Sequence, residues 1–107
     1  MIITTTPAID GRRVSSYLGV ISADVITGAN LFRDFFASVR DMVGGRVRSY
    51  EQLFAETKDE ALRDLAEKAA KLGADAVVGV DLDYEIIGGD RKTILMIAAT
   101  GTAVKLA

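Results

Sequence analysis

The chain has 107 residues, half of them hydrophobic, with thirteen basic and fifteen acidic side chains and a formal net charge of -2. That length holds one domain, and the mildly acidic balance argues against a general grip on nucleic-acid phosphates. Cysteine and histidine are both absent, which excludes disulfides, thiolate nucleophiles, imidazole bases and any thiolate or imidazole zinc site.

Residues 1–10, MIITTTPAID, read as an extended start, because Ile2, Ile3 and three threonines favour β geometry. Pro7 cannot donate a ladder bond, which fits an edge or an end. These residues have no basic leader region and no long apolar stretch, so no secretory signal is expected. Nowhere do eighteen apolar residues run together, so no membrane span is expected either, and the expected compartment is the cytoplasm. Asp10 and Gly11 supply turn chemistry. A strand follows over 13–26, interrupted at Gly19, where a bulge or a close backbone approach is expected. Its apolar side chains do not fall on one face, so both faces should be partly covered.

The spacing of Leu31, Phe32, Phe35, Phe36, Val39, Met42 and Val43 predicts a helix over 29–43. Asn30 can cap its start, and Gly44 and Gly45 end it. A second helix is expected over 49–72, with Ser49 and Gln52 at capping-box spacing and Gly73 in the C′ position. Leu53, Phe54, Leu62, Leu65, Ala66, Ala69 and Leu72 form its apolar stripe, and Asp64 with Lys68 is one of several favourable i,i+4 pairs. At 1.5 Å per residue this helix would be roughly 35 Å long. Thr57 to Glu60 repeats the capping pattern and offers an alternative start or kink.

Two strands close the chain, over 76–87 and 92–99, joined by a turn at Gly88, Gly89 and Asp90 as a β-hairpin. Gly101 is expected to break the strand before a short piece at 102–106. Val78, Val80, Leu82, Tyr84 and Ile86 are expected on one face. The second hairpin strand alternates Ile94, Met96 and Ala98 with Leu95, Ile97 and Ala99, so both its faces are apolar. One helix covers one face of such a sheet. The other face needs the Phe-rich helix or another subunit, and self-association follows from the second choice.

Asp81, Asp83 and Glu85 lie two apart on a strand and therefore share a face. They are the best metal candidates, for hard cations such as magnesium, manganese or calcium. Same-face neighbours on one strand sit roughly 6.5–7 Å apart, so a solvated face, or ion pairs with arginines of a neighbouring strand or subunit, is the simpler account. Gly44 and Gly45, with Arg46 and Arg48, precede a helix N-terminus and could hold an anion or small ligand; a glycine hinge between two helices is the plain alternative. No tyrosine, serine or threonine has an activating partner at motif spacing, so no catalytic residue and no cofactor are assigned.

Several separate stretches carry a resemblance over essentially the whole chain: MIITTTPAIDGR at the start, YLGVISADVITGAN at 17–30, RDFFASVRDMVGGR at 33–46, Tyr50 and Glu51, LGADAVVGVDLDYE at 72–85, and ATGTAV at 99–104. With these the sequence closely resembles the YbjQ-like family of uncharacterised bacterial and archaeal proteins, which carries a heavy-metal-binding label. The resemblance implies a dodecin-like α+β subunit, a small antiparallel sheet around a long helix, and a ring-shaped homopentamer. A heavy-metal role would call for soft ligands, and the only soft donors here are Met1, Met42 and Met96. The expectation is a non-enzymatic homo-oligomer that binds a small or anionic ligand at subunit clefts. The alternatives are a carboxylate metal site and, last, an inter-subunit enzyme using an acid and an arginine. No nucleic-acid or membrane partner is expected.

Overall fold

The computed structural model describes residues 1–27, 48–89 and 92–107; the helix expected at 29–43 lies outside them. Runs rich in valine, isoleucine and threonine form the strands: β1 (Ile2–Ile3), β2 (Val14–Thr27), β3 (Ala76–Gly89) and β4 (Lys92–Leu106). Between β2 and β3 the described residues form the helix α1 (Arg48–Lys71). The strands form one sheet in the order β1-β3-β4-β2. β4 pairs antiparallel with both β3 and β2, while β1 pairs parallel with β3, so the expected antiparallel sheet becomes mixed at one edge. β2 and β3 run parallel but are not neighbours, because β4 lies between them. The result is a small α+β fold with α1 packed across one face.

Gly73 ends α1 as its position predicts. It adopts φ +79, its N–H donates to Ala70 O at 2.9 Å, and Ala74 N donates to Ala69 O at 3.0 Å. These two bonds satisfy orphan carbonyls of the last turn in a Schellman arrangement. The helix runs unbroken through the alternative start at Thr57, which is buried. Its hydroxyl donates to Leu53 O, one turn back, at 2.7 Å, so it serves inside the helix and not as a cap. Leu72, expected in the apolar stripe, lies just past the last helical residue and is 48% exposed.

Three register shifts shape the sheet, the first between Val14 and Ser16 in β2. The second falls between Tyr17 and Gly19 in β2, where the sequence predicts an irregularity. The third falls between Val78 and Asp81 in β3, where Gly79 adopts φ +62. Val78 pairs with Thr102 and Asp81 with Thr100, so Gly79 and Val80 together oppose Gly101. The extra residue shifts the alternation by one. Val77 and Val80 therefore both face α1, and Val78 does not join Val80, Leu82, Tyr84 and Ile86 as simple alternation predicts. The bulge also holds the N-terminus: Thr4 N donates to Val77 O, Gly79 N to Thr6 O and Val80 N to Thr4 O, at 2.9–3.0 Å. A side chain at position 79 would meet open space, so only backbone strain opposes it. Gly79→Ala is expected to lower stability by about 1–2 kcal/mol in urea denaturation, the cost of holding an L-residue left-handed. An unchanged midpoint would contradict the left-handed bulge.

The core lies between α1 and the sheet. Ala61, Leu65 and Ala69 meet Ala23, Val77, Val80, Leu95, Ile97, Ala99 and Ala103, all buried. β4 is continuous through Gly101, contrary to the break expected there. A smaller cluster of Ala76, Val78 and Val104 lies apart from the helix-face core, with Ile9, Val14 and Leu106 packed against it.

Candidate functional site

The face of the sheet away from α1 collects the residues left unexplained by the core. Strand pairing arranges them in rows. Ser22, Thr100 and Asp81 stand side by side, then Asp24, Ala98 and Asp83, then Ile26, Met96 and Glu85, then Ile94 beside Ile87. Asp81, Asp83 and Glu85 are all exposed and share this face, as their spacing predicts. The bulge at Gly79 is what turns them outward, since it lets Val80 and Leu82 face the helix. Among the described residues their side chains form no hydrogen bond or ion pair. Asp24, two strands away from Asp83, adds a fourth exposed carboxylate at about 10 Å. No group of three or more acidic side chains among the described residues is gathered closely enough to hold a metal ion.

Apolar surface interleaves with these acids. Val20 is 82% exposed and Ile26 62% exposed, and Ile87 is exposed on the same face. A shallow open depression of about 390 Å³ lies beside the acidic row, lined by Asp83, Tyr84, Glu85, Met96 and Ala98. Tyr84 also reaches the helix, with its ring centroid 6.3 Å from that of Phe54. Sequence spacing identified the acids of this depression but not Met96 as their cross-strand neighbour.

Of the anion candidates, Gly44, Gly45 and Arg46 lie outside the described residues. Arg48 is the first described residue of α1, so the described part of the helix starts directly after that stretch. A contact that spacing could not reveal involves Lys68. Helix spacing sets it beside Asp64, and its ammonium donates to Ser22 O of β2 at 2.6 Å. No helix among the described residues is long and apolar enough to cross a membrane.

The fold recurs in a crystal structure of a protein of unknown function from Pediococcus pentosaceus, assigned to the DUF74 family. The match covers 100% of this chain and 98% of that one, with a TM-score of 0.68 and 20% sequence identity. The sequence also matches a family model, YbjQ, described as "putative heavy-metal-binding", over residues 1–107. A match along the whole length, on a fold shared with a protein of the same family, makes this chain a member of the YbjQ family.

Proposed function

We propose that the chain is the subunit of a non-enzymatic homo-oligomeric ring, five-membered as its resemblance implies, that binds its ligand at clefts between subunits. The observation that carries this reading is the sheet face that nothing covers among the described residues. The accessible surface of the whole chain is 7044 Å², against about 5,800 Å² for a compact monomer of this mass. The radius of gyration is 17.1 Å, against about 13 Å for a compact domain of this length. The excess, about 1,200 Å², is the scale on which a subunit covers its interfaces with neighbours. Burial of Val20, Ile26, Ile87 and Ile94 would supply the apolar driving force. Native mass spectrometry of protein taken from cells tests both halves of the proposal, since it reports subunit number and retained ligand together. A bare single subunit would defeat it.

A second reading rests on the carboxylates that have no partner within the described residues. A ring would repeat Asp24, Asp81, Asp83 and Glu85 around its axis, and oxygen-rich surfaces favour hard divalent cations. Titration of the assembled protein with manganese, followed by calorimetry, should then show binding that Asp83→Asn weakens about tenfold, the loss of one charge-assisted contact. Equal heats for the two proteins would remove this reading. The stretch Gly44, Gly45, Arg46 and Arg48 is the corresponding place for an anion, because the described part of α1 starts at its end.

A further inference from the structure

β2 is fourteen residues long and pairs with β4 along one side; among the described residues nothing pairs with its other side. Folded proteins blunt such an edge with proline, with charges or by keeping it short. β2 has no proline, and Asp24 is its one charged residue. Val20 and Ile26 leave most of their apolar surface in water. One atom of the strand's backbone is nevertheless occupied, since Lys68 reaches over from the last turn of α1 to Ser22 O.

We infer that this edge, at residues 20–26, is a strand-addition seam for a second copy of the chain, and that Lys68 guards it in the separate subunit. The inference rests on the self-association proposed above and names the surface that does it. In an antiparallel strand the N–H and C=O of one residue point to the same side, and those of the next residue to the other. A carbonyl taken by Lys68 instead of β4 puts Ser22 on the outer side. Val20, Asp24 and Ile26 follow by the period of two. Four residues thus offer backbone donors and acceptors outward, with Ser22 O held by the ammonium. The second copy is the fitting occupant because the same sheet has a second edge that is free among the described residues. β1 and Thr4 and Thr6 cover β3 only as far as Val80, so residues 81–89 have no outer partner among the described residues. β2 of one copy against β3 of the next is a head-to-tail contact, which closes rings of odd or even number. Pairing β2 with itself would be two-fold and would stop at a dimer.

Two substitutions act on this seam in opposite directions. Ser22→Pro removes an N–H that points outward, so the ladder to β4 keeps its bonds while an incoming strand meets the proline ring. Lys68→Met keeps the aliphatic stem over the sheet and frees the carbonyl. Light scattering over a dilution series, with circular dichroism to confirm folding, reads both. The expected result is an assembled wild type, a folded Ser22→Pro protein that falls to single subunits, and a Lys68→Met assembly that survives about tenfold further dilution. Folded Ser22→Pro protein that assembles like the wild type overturns the seam and leaves self-association standing. Should Ser22→Pro fail to fold, Lys68→Met decides: tighter assembly supports the seam, and unchanged or weaker assembly overturns it. With Ser22→Pro folded and dissociated, an unchanged Lys68→Met assembly overturns the guard and upholds the seam. A wild type that is a single subunit at every concentration overturns both the seam and the proposed function.

Discussion

Gly101→Val is expected to abolish cooperative folding or to cost at least about 3 kcal/mol, the upper range for overpacking a core. Gly101 is buried in the middle of β4, opposite the bulge of β3. A Cβ there would lie 2.6 Å from Val77 Cγ1, 3.1 Å from Val80 Cγ2 and 3.3 Å from Val78 O. The first distance is far inside contact, and the third involves backbone, which a rotamer change cannot relieve. Valine adds two further methyls to the same space. The loss is large beside a total stability of about 5–15 kcal/mol for a domain. Gly101→Ala separates crowding from backbone effects. In an unstrained strand, replacing glycine by alanine helps by roughly 0.5–1 kcal/mol, whereas here it should destabilise by about 1–3 kcal/mol. Val77→Ala in the same protein should recover part of that loss, because the two sites share one space. Urea denaturation of the four proteins completes the cycle, and a Gly101→Ala protein more stable than wild type would refute the close approach of β3 to β4.

Leu65→Ala is expected to cost about 4 kcal/mol, toward the upper end for deleting a buried leucine. Leu65 is the largest fully buried side chain contributed by α1 among the described residues. Ala61 and Ala69, one turn to either side, are also fully buried and bring the helix close to Ala23, Ala99 and Ala103. Small neighbours on both sides leave few groups that can move into the space, so the cavity should persist. Leu65→Met, which nearly conserves volume, should cost less than about 1.5 kcal/mol. A drop below about 1 kcal/mol for Leu65→Ala, measured at a protein concentration that holds the assembly state fixed, would contradict a core centred on this residue.

The long elements were legible in the sequence because each is governed by local chemistry. The apolar spacing of Leu53, Leu62, Leu65 and Ala69 and the glycine at position 73 suffice for α1 and its end. Gly19 announced its own bulge. The face shared by Asp81, Asp83 and Glu85 follows from a period of two that no bulge interrupts between them. What escaped depends on contacts between distant residues. The bulge at Gly79 moves Val78 to the other face, and alternation alone cannot show it. Gly101 looked like a strand break, yet it serves as room for Val77 and Val80 within a continuous strand. β1 is only two residues long, too short to carry a pattern, so its parallel pairing was invisible. Lys68 and Ser22 are 46 residues apart, and a lysine three residues from the end of α1 has an obvious helical partner in Asp64. The same distance in sequence hides which edges of the sheet lack a partner among the described residues, although the apolar alternation of β4 already indicated that α1 could not cover both faces.

We propose that the sheet face away from α1, uncovered among the described residues, is completed by copies of the same chain. Light scattering coupled to size separation at micromolar concentration tests it most directly. A five-membered ring predicts about 57 kDa, five times the subunit mass of 11.4 kDa. A single species of 11.4 kDa that holds its mass as concentration rises would contradict it.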